Sequence, residues 1–68
     1  MDLQFKVNNM SCEGCKNVVE TTLNNDDRIE QAVVDLADQS VKVKSNKDLS
    51  VADINNLLAE TPYNVENY

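Results

Sequence analysis

The chain has 68 residues, twelve acidic against six basic, a formal charge of −6 and 41% hydrophobic residues. That length allows one small domain over residues 1–68 with a thin core and no deep cavity, and the apolar share excludes a disordered tail. The acidic balance excludes nucleic acid and anionic membrane surfaces as partners, and leaves either plain solubility or a partner with a basic docking face.

Leu3, Phe5 and Val7 alternate with Gln4 and Lys6, the period-two pattern of a half-buried strand. Asn8 to Gly14 breaks the pattern and reads as a loop. A helix follows, from Cys12 or Glu13 to Asn24, with Val19 and Leu23 on its inner face, Val18 and Thr22 flanking them, and Ser11 as the expected N-cap. A second strand is expected over Gln31–Leu36, facing inward with Ala32, Val34 and Leu36. After a turn at Ala37-Asp38-Gln39-Ser40, Val41 and Val43 alternate with Lys42 and Lys44 in a third strand, closing a hairpin. Ser50 and Asp53 form a capping box for a second helix, whose inward stripe is Ile54, Leu57 and Leu58 and whose end is set by Pro62. Tyr63 and Val65 belong to a short last strand. The order β-α-β-β-α-β implies an α+β, ferredoxin-like fold: one four-stranded antiparallel sheet with both helices on a single face.

The opening stretch has no apolar run of the kind a signal peptide needs, and no segment is long enough to span a bilayer, so the expected compartment is the cytoplasm. Thiols stay reduced there, and a Cys-x-x-Cys pair implies metal binding or redox chemistry. Met10-Ser11-Cys12-Glu13-Gly14-Cys15 puts two thiols where a loop enters a helix, with the only glycine of the chain between them, free to let the backbone reshape. The helix N-terminus favours thiolates, Lys16 adds to this, and Glu13 opposes it. A zinc site of the structural kind takes four ligands, often including histidine; here there are two cysteines and no histidine. Soft thiolates select a soft ion, and Cu(I) is content with two sulfurs, so Cys12 and Cys15 are the candidate ligands for Cu(I). An open site of this kind leaves room for an incoming thiolate. The absence of histidine also excludes Ser-His-Asp and Cys-His catalysis, so no enzyme is expected.

At these residues the chain resembles the heavy-metal-associated domains, and among them the free-standing bacterial copper chaperones, whose mark is Met-x-Cys-x-x-Cys in the first loop of a ferredoxin-like fold. The resemblance runs from Leu3 to Val65. It implies Cys12 and Cys15 as ligands, Met10 packed beneath the loop, and Tyr63 on a neighbouring loop close to the cysteines. It also implies delivery of Cu(I) to the soluble domain of a copper-transporting P-type ATPase, and in some relatives to a copper-responsive repressor. The chain departs from the family pattern at Asn9, at Asp27-Arg28-Ile29 and at Pro62, where glycine is usual. A monomer is expected without metal, and two molecules sharing one ion through four thiols are compatible with the site. Three other readings keep the same cysteines: a domain belonging to a larger ATPase, a carrier of another soft ion such as Hg(II), and a thiol–disulfide oxidoreductase. The starting Met1 and an end just past the last strand favour an independent chain over the first of these. Ser11 before Cys12, and a lone proline, argue against the last.

Overall fold

A computed structural model describes residues 1–68. Its elements follow the expected order: β1 (Asp2–Asn8), α1 (Glu13–Asn24), β2 (Ile29–Asp35), β3 (Ser40–Ser45), α2 (Val51–Leu57) and β4 (Asn64–Asn67). The strands form one sheet in the order β2-β3-β1-β4, with every neighbouring pair antiparallel.

The register explains the core. Ala32 pairs with Val43 and Val43 with Leu3; Val34 pairs with Val41 and Val41 with Phe5; Val7 pairs with Val65. Paired residues share a face, so these rows make one apolar surface across four strands. Val19 and Leu23 of α1, together with Ile54 of α2 and Leu58 just past it, join the same buried cluster. Both helices therefore cover one face of the sheet, in the ferredoxin-like arrangement. Lys42, Lys44, Gln31 and Val33 alternate outward onto the uncovered face.

Side chains from the helices take up several outward-facing backbone groups of both outer strands. Asn24, the last residue of α1, accepts from the Ala32 N–H at 2.8 Å and donates to its carbonyl at 3.4 Å. Glu20 accepts from the Val34 N–H at 2.7 Å. On the opposite margin Asn55 does the same for β4, accepting from the Val65 N–H at 2.7 Å and donating to its carbonyl at 3.1 Å. Unpaired edge groups are a standing invitation to sheet extension, and here these five are occupied.

Several boundaries differ from expectation: Tyr63 lies just before β4, not in it, and Ser40 opens β3 where the turn was expected to close, because each pairs or fails to pair with β1. β2 begins at Ile29, not Gln31, because Ile29 pairs with Ser45 across an irregularity between Ile29 and Gln31 that breaks the alternation. Leu36 lies beyond β2, in the turn, where it packs half-buried against the core. α2 ends at Leu57, well before Pro62: Leu58 has left helical geometry (φ −92°, ψ 9°), and the Thr61 hydroxyl takes its carbonyl at 2.7 Å. The Ser50–Asp53 capping box is present as expected, with Ser50 Oγ accepting from the Asp53 N–H and Asp53 Oδ2 accepting from the Ser50 N–H.

Candidate metal centre

β1 delivers the chain to the site. Its last residue, Asn8, is followed by Asn9 at φ 68°, in the left-handed region that asparagine tolerates better than most residues. The turn sends Met10 into the core, where it is 2% exposed, and leaves the cysteines outside. Met10 is a packing residue, as the resemblance implied.

The sequence analysis put the helix cap at Ser11; the structure puts it one residue later. Cys12 is the N-cap of α1, with extended backbone (φ −148°, ψ 166°), and its sulfur accepts from the Cys15 N–H at 3.3 Å. The first helical hydrogen bond runs from the Lys16 N–H to the Cys12 carbonyl at 3.1 Å. A thiol can therefore occupy the position where a hydroxyl or carboxylate usually sits, accepting from an N–H that the helix leaves unpaired.

Three positions on, Cys15 brings its sulfur to 2.8 Å from that of Cys12. Both cysteines are free thiols, Cys12 exposed and Cys15 half-buried. The Cys15 thiol is held well below its ordinary value of 9.0, at about 6, first by its hydrogen bond with Cys12, then by the Tyr63 hydroxyl and the Ser11 backbone. The same contact with Cys15 pushes the Tyr63 phenol up. Lys16 and Glu13, expected to pull in opposite directions, are not among the causes. The acidity of Cys15 comes from hydrogen bonds.

Gly14 lies in the first turn of α1 without a positive φ, and a methyl group there would meet only the Cys12 sulfur, at 3.8 Å. That is an ordinary contact distance, so neither the backbone nor the space requires a glycine in this geometry.

Side-chain amides tie the end of β1 and the residue after it to the segment that carries Tyr63. Asn8 Nδ2 donates to Asn64 Oδ1 at 2.7 Å, and Asn9 Nδ2 donates to the Pro62 carbonyl at 3.2 Å. The Tyr63 N–H donates to Thr61 Oγ1 at 3.2 Å, fixing the turn that carries the phenol. Asparagine in a loop and threonine before proline are common enough to pass unnoticed in a sequence; only their partners make them meaningful.

No three histidine, cysteine or carboxylate side chains gather where they could share an ion. What the site offers is two sulfurs. An ion held at about 2.3 Å from each would need them about 3.8 Å apart at a tetrahedral angle and about 4.6 Å apart in a line. From 2.8 Å, the pair has to open by roughly 1 to 1.8 Å to admit it. No helix is long and apolar enough to cross a membrane.

The profile described as the heavy-metal-associated domain matches residues 4–64 of the 68. The chain belongs to the heavy-metal-associated domain family. Among solved structures, this heavy-metal-associated domain is similar to the CopZ metallochaperone, at 30% identity and a TM-score of 0.84, covering 97% of this chain and 100% of the other. It is also similar to the N-terminal domain of a potential copper-translocating P-type ATPase from Bacillus subtilis in its Cu(I)-loaded state, at 27% identity and a TM-score of 0.83, covering 97% and 84%. The N-terminal domain of ZntA in its Zn(II) form shares the fold, at 23% identity and a TM-score of 0.80, covering 96% and 88%. No curated protein sequence gives a significant match.

Proposed function

We propose that this heavy-metal-associated domain is a Cu(I) metallochaperone, with Cys12 and Cys15 as the two ligands, and that residues 1–68 act as one domain in the cytoplasm. The observation that carries the reading is the exposed two-sulfur pair with no third ligating side chain beside it. Two thiolates suit a soft monovalent ion and serve zinc poorly, which wants four ligands. The likeness to a CopZ metallochaperone and to the Cu(I)-loaded domain of an ATPase supports the choice of copper.

The transfer needs no change of oxidation state. Both thiols lose their protons on loading, and Cys15 does so most readily because it is already acidic. The sulfurs spread around the ion. An incoming thiolate from the soluble domain of a copper-transporting P-type ATPase adds as a third ligand; one bond to this chain then breaks, and a second exchange completes the move. Cys12 is the sulfur that meets the partner first, because it is the exposed one. A copper-responsive repressor carrying a thiol pair would be served by the same exchange. Two copies of this chain sharing one ion through four sulfurs is the resting alternative when copper is scarce.

The test is a competition titration of the reduced protein with Cu(I) and with Zn(II) against chelators of known affinity, followed by X-ray absorption of the loaded form. One Cu(I) per chain with a shell of sulfur alone is expected. Zn(II) held as tightly as Cu(I), or a shell of mainly nitrogen and oxygen, would refute the reading. Catalytic turnover in an insulin-reduction assay would instead favour a thiol–disulfide oxidoreductase.

A further inference from the structure

The face of the sheet that no helix covers holds two cations without partners. The chain closes two ion pairs, Lys6–Asp38 and Arg28–Asp26. Lys42 and Lys44 of β3 belong to neither, and both are exposed. In register, Lys42 lies between Val33 of β2 and Gln4 of β1, and Lys44 between Gln31 and Asp2. Asp2 is the one carboxylate directly beside them, and it forms no ion pair with Lys44. Asp35, at the next outward position of β2, turns an oxygen back to the Ala37 and Asp38 N–H groups. The lysines and their neighbours rim an open hollow of about 500 Å³. Val33 stands in that rim as an apolar side chain 48% exposed.

Side chains on one face of a strand repeat every two residues, about 7 Å apart, and an extended chain of any sequence has the same repeat. Carboxylates at alternate positions of an extended segment therefore match Lys42 and Lys44 one for one. The Gln4 and Gln31 amides add donors and acceptors beside that row, and Val33 gives an apolar residue a seat. No aromatic side chain lines the hollow, so a nucleobase finds nothing to stack on. The charge of −6 does not forbid an acidic ligand here. At physiological salt charges act over about 8 Å, while carboxylates such as Glu13 of α1 and Asp53 of α2 stand behind the sheet, about a helix diameter of 10 Å away.

We propose that the open face of the sheet around Lys42 and Lys44 is a docking surface for an extended acidic segment of a partner protein, with carboxylates at alternate positions. The surface lies toward the far end of β1 from the metal loop: Asp2 and Gln4 precede Asn8 by about 13 to 20 Å of strand. A partner held there leaves the sulfur pair uncovered. The proposal stands apart from the function proposed above.

The experiment is a nuclear magnetic resonance titration of the reduced, metal-free protein with a blocked peptide of about ten residues alternating glutamate and valine. Saturable shifts centred on Gln4, Val33, Lys42 and Lys44 are expected below about 1 mM peptide, with the Cys12 and Cys15 signals unmoved. Lys42→Gln and Lys44→Gln, both at exposed positions outside the core, should each weaken binding about two- to fivefold. A peptide of the same composition with its glutamates in one block should bind more weakly by a similar factor. Raising the salt from about 0.02 M to about 0.3 M should weaken binding throughout. Shifts centred elsewhere, no saturable shift, variants that bind like wild type, or a block peptide that binds as well would overturn the proposal. Tighter binding of an oligothymidylate would also overturn it, assigning the face to nucleic acid instead. Equal binding of a peptide alternating lysine and valine would reduce the contact to an apolar one and overturn it too.

Discussion

The two helices begin in the same way and for different ends. Ser50 caps α2 with a hydroxyl, takes the Asp53 N–H at 3.2 Å, and receives a carboxylate in return on its own N–H at 2.9 Å. Cys12 caps α1 with a sulfur at 3.3 Å from the Cys15 N–H, and nothing returns the favour. Both residues are extended, so the backbone problem is the same. One end is built for stability; the other leaves its capping atom exposed, as the copper role proposed above requires. In that role loading would ask the α1 cap to give up its acceptor, which a weak sulfur cap makes easy. Sites that work are where local rules are relaxed.

The contrast can be broken by substitution. The largest effect is expected from Cys12→Ser, which puts a better capping atom on α1 and removes a ligand. Cu(I) affinity should fall by more than the roughly 100-fold that outer-shell changes cost. Stability to urea should rise by a few tenths to about 1 kcal/mol. A Cys12→Ser protein that is clearly less stable would show that the sulfur is a better cap than its chemistry suggests. Cys15→Ser should match the loss of affinity.

Next in size is the response to pH. Alkylation of Cys15 by iodoacetamide should hold nearly constant from pH 9 down to about 7, then fall about tenfold per unit below about 6. In Cys12→Ala that midpoint should climb back toward 9.0, because the leading cause of the depression is gone. An unmoved midpoint would assign the acidity to Tyr63 and the backbone instead. The sign for stability follows. Cys15 is more acidic folded than unfolded, so its contribution is complete above pH 9 and is lost as pH falls toward 6.

Ser50→Ala should cost about 1 kcal/mol in urea unfolding, with Cu(I) affinity unchanged, since it breaks only the cap built for stability. Smallest is Met10→Leu, a near-isosteric swap of a side chain 2% exposed. It should cost less than about 1.5 kcal/mol and leave Cu(I) affinity alone. A large loss of affinity there would make Met10 a ligand.

Much of this was visible in the residues before any coordinates. Alternation in β1 and β3, the Ser50–Asp53 box and the placement of Cys12-x-x-Cys15 each depend on near neighbours, and each lies where expected. The boundaries that moved depend on particular partners. Ile29 enters β2 because Ser45 lies opposite. α2 stops at Leu57 because the Leu58 carbonyl finds no N–H on Pro62 four residues on and accepts instead from the Thr61 hydroxyl and N–H. Ser11 lost the cap to Cys12 because the two candidates are adjacent and only the turn at Asn9 decides which one faces the helix. The sources of Cys15 acidity were misjudged for a similar reason: formal charges can be counted in a sequence, and hydrogen-bond directions cannot.

The amides and carboxylate on the margins of the sheet bear on the transfer role proposed above, which would consist of brief encounters. With Asn24 and Glu20 on one margin and Asn55 on the other, a second strand finds few free groups to zip onto. In that role adhesion would be concentrated at the sulfur tip, the place where a visit would end by itself once an ion had crossed. Crowding many copies into a small volume then costs little in tangled sheets, and each copy stays free to depart.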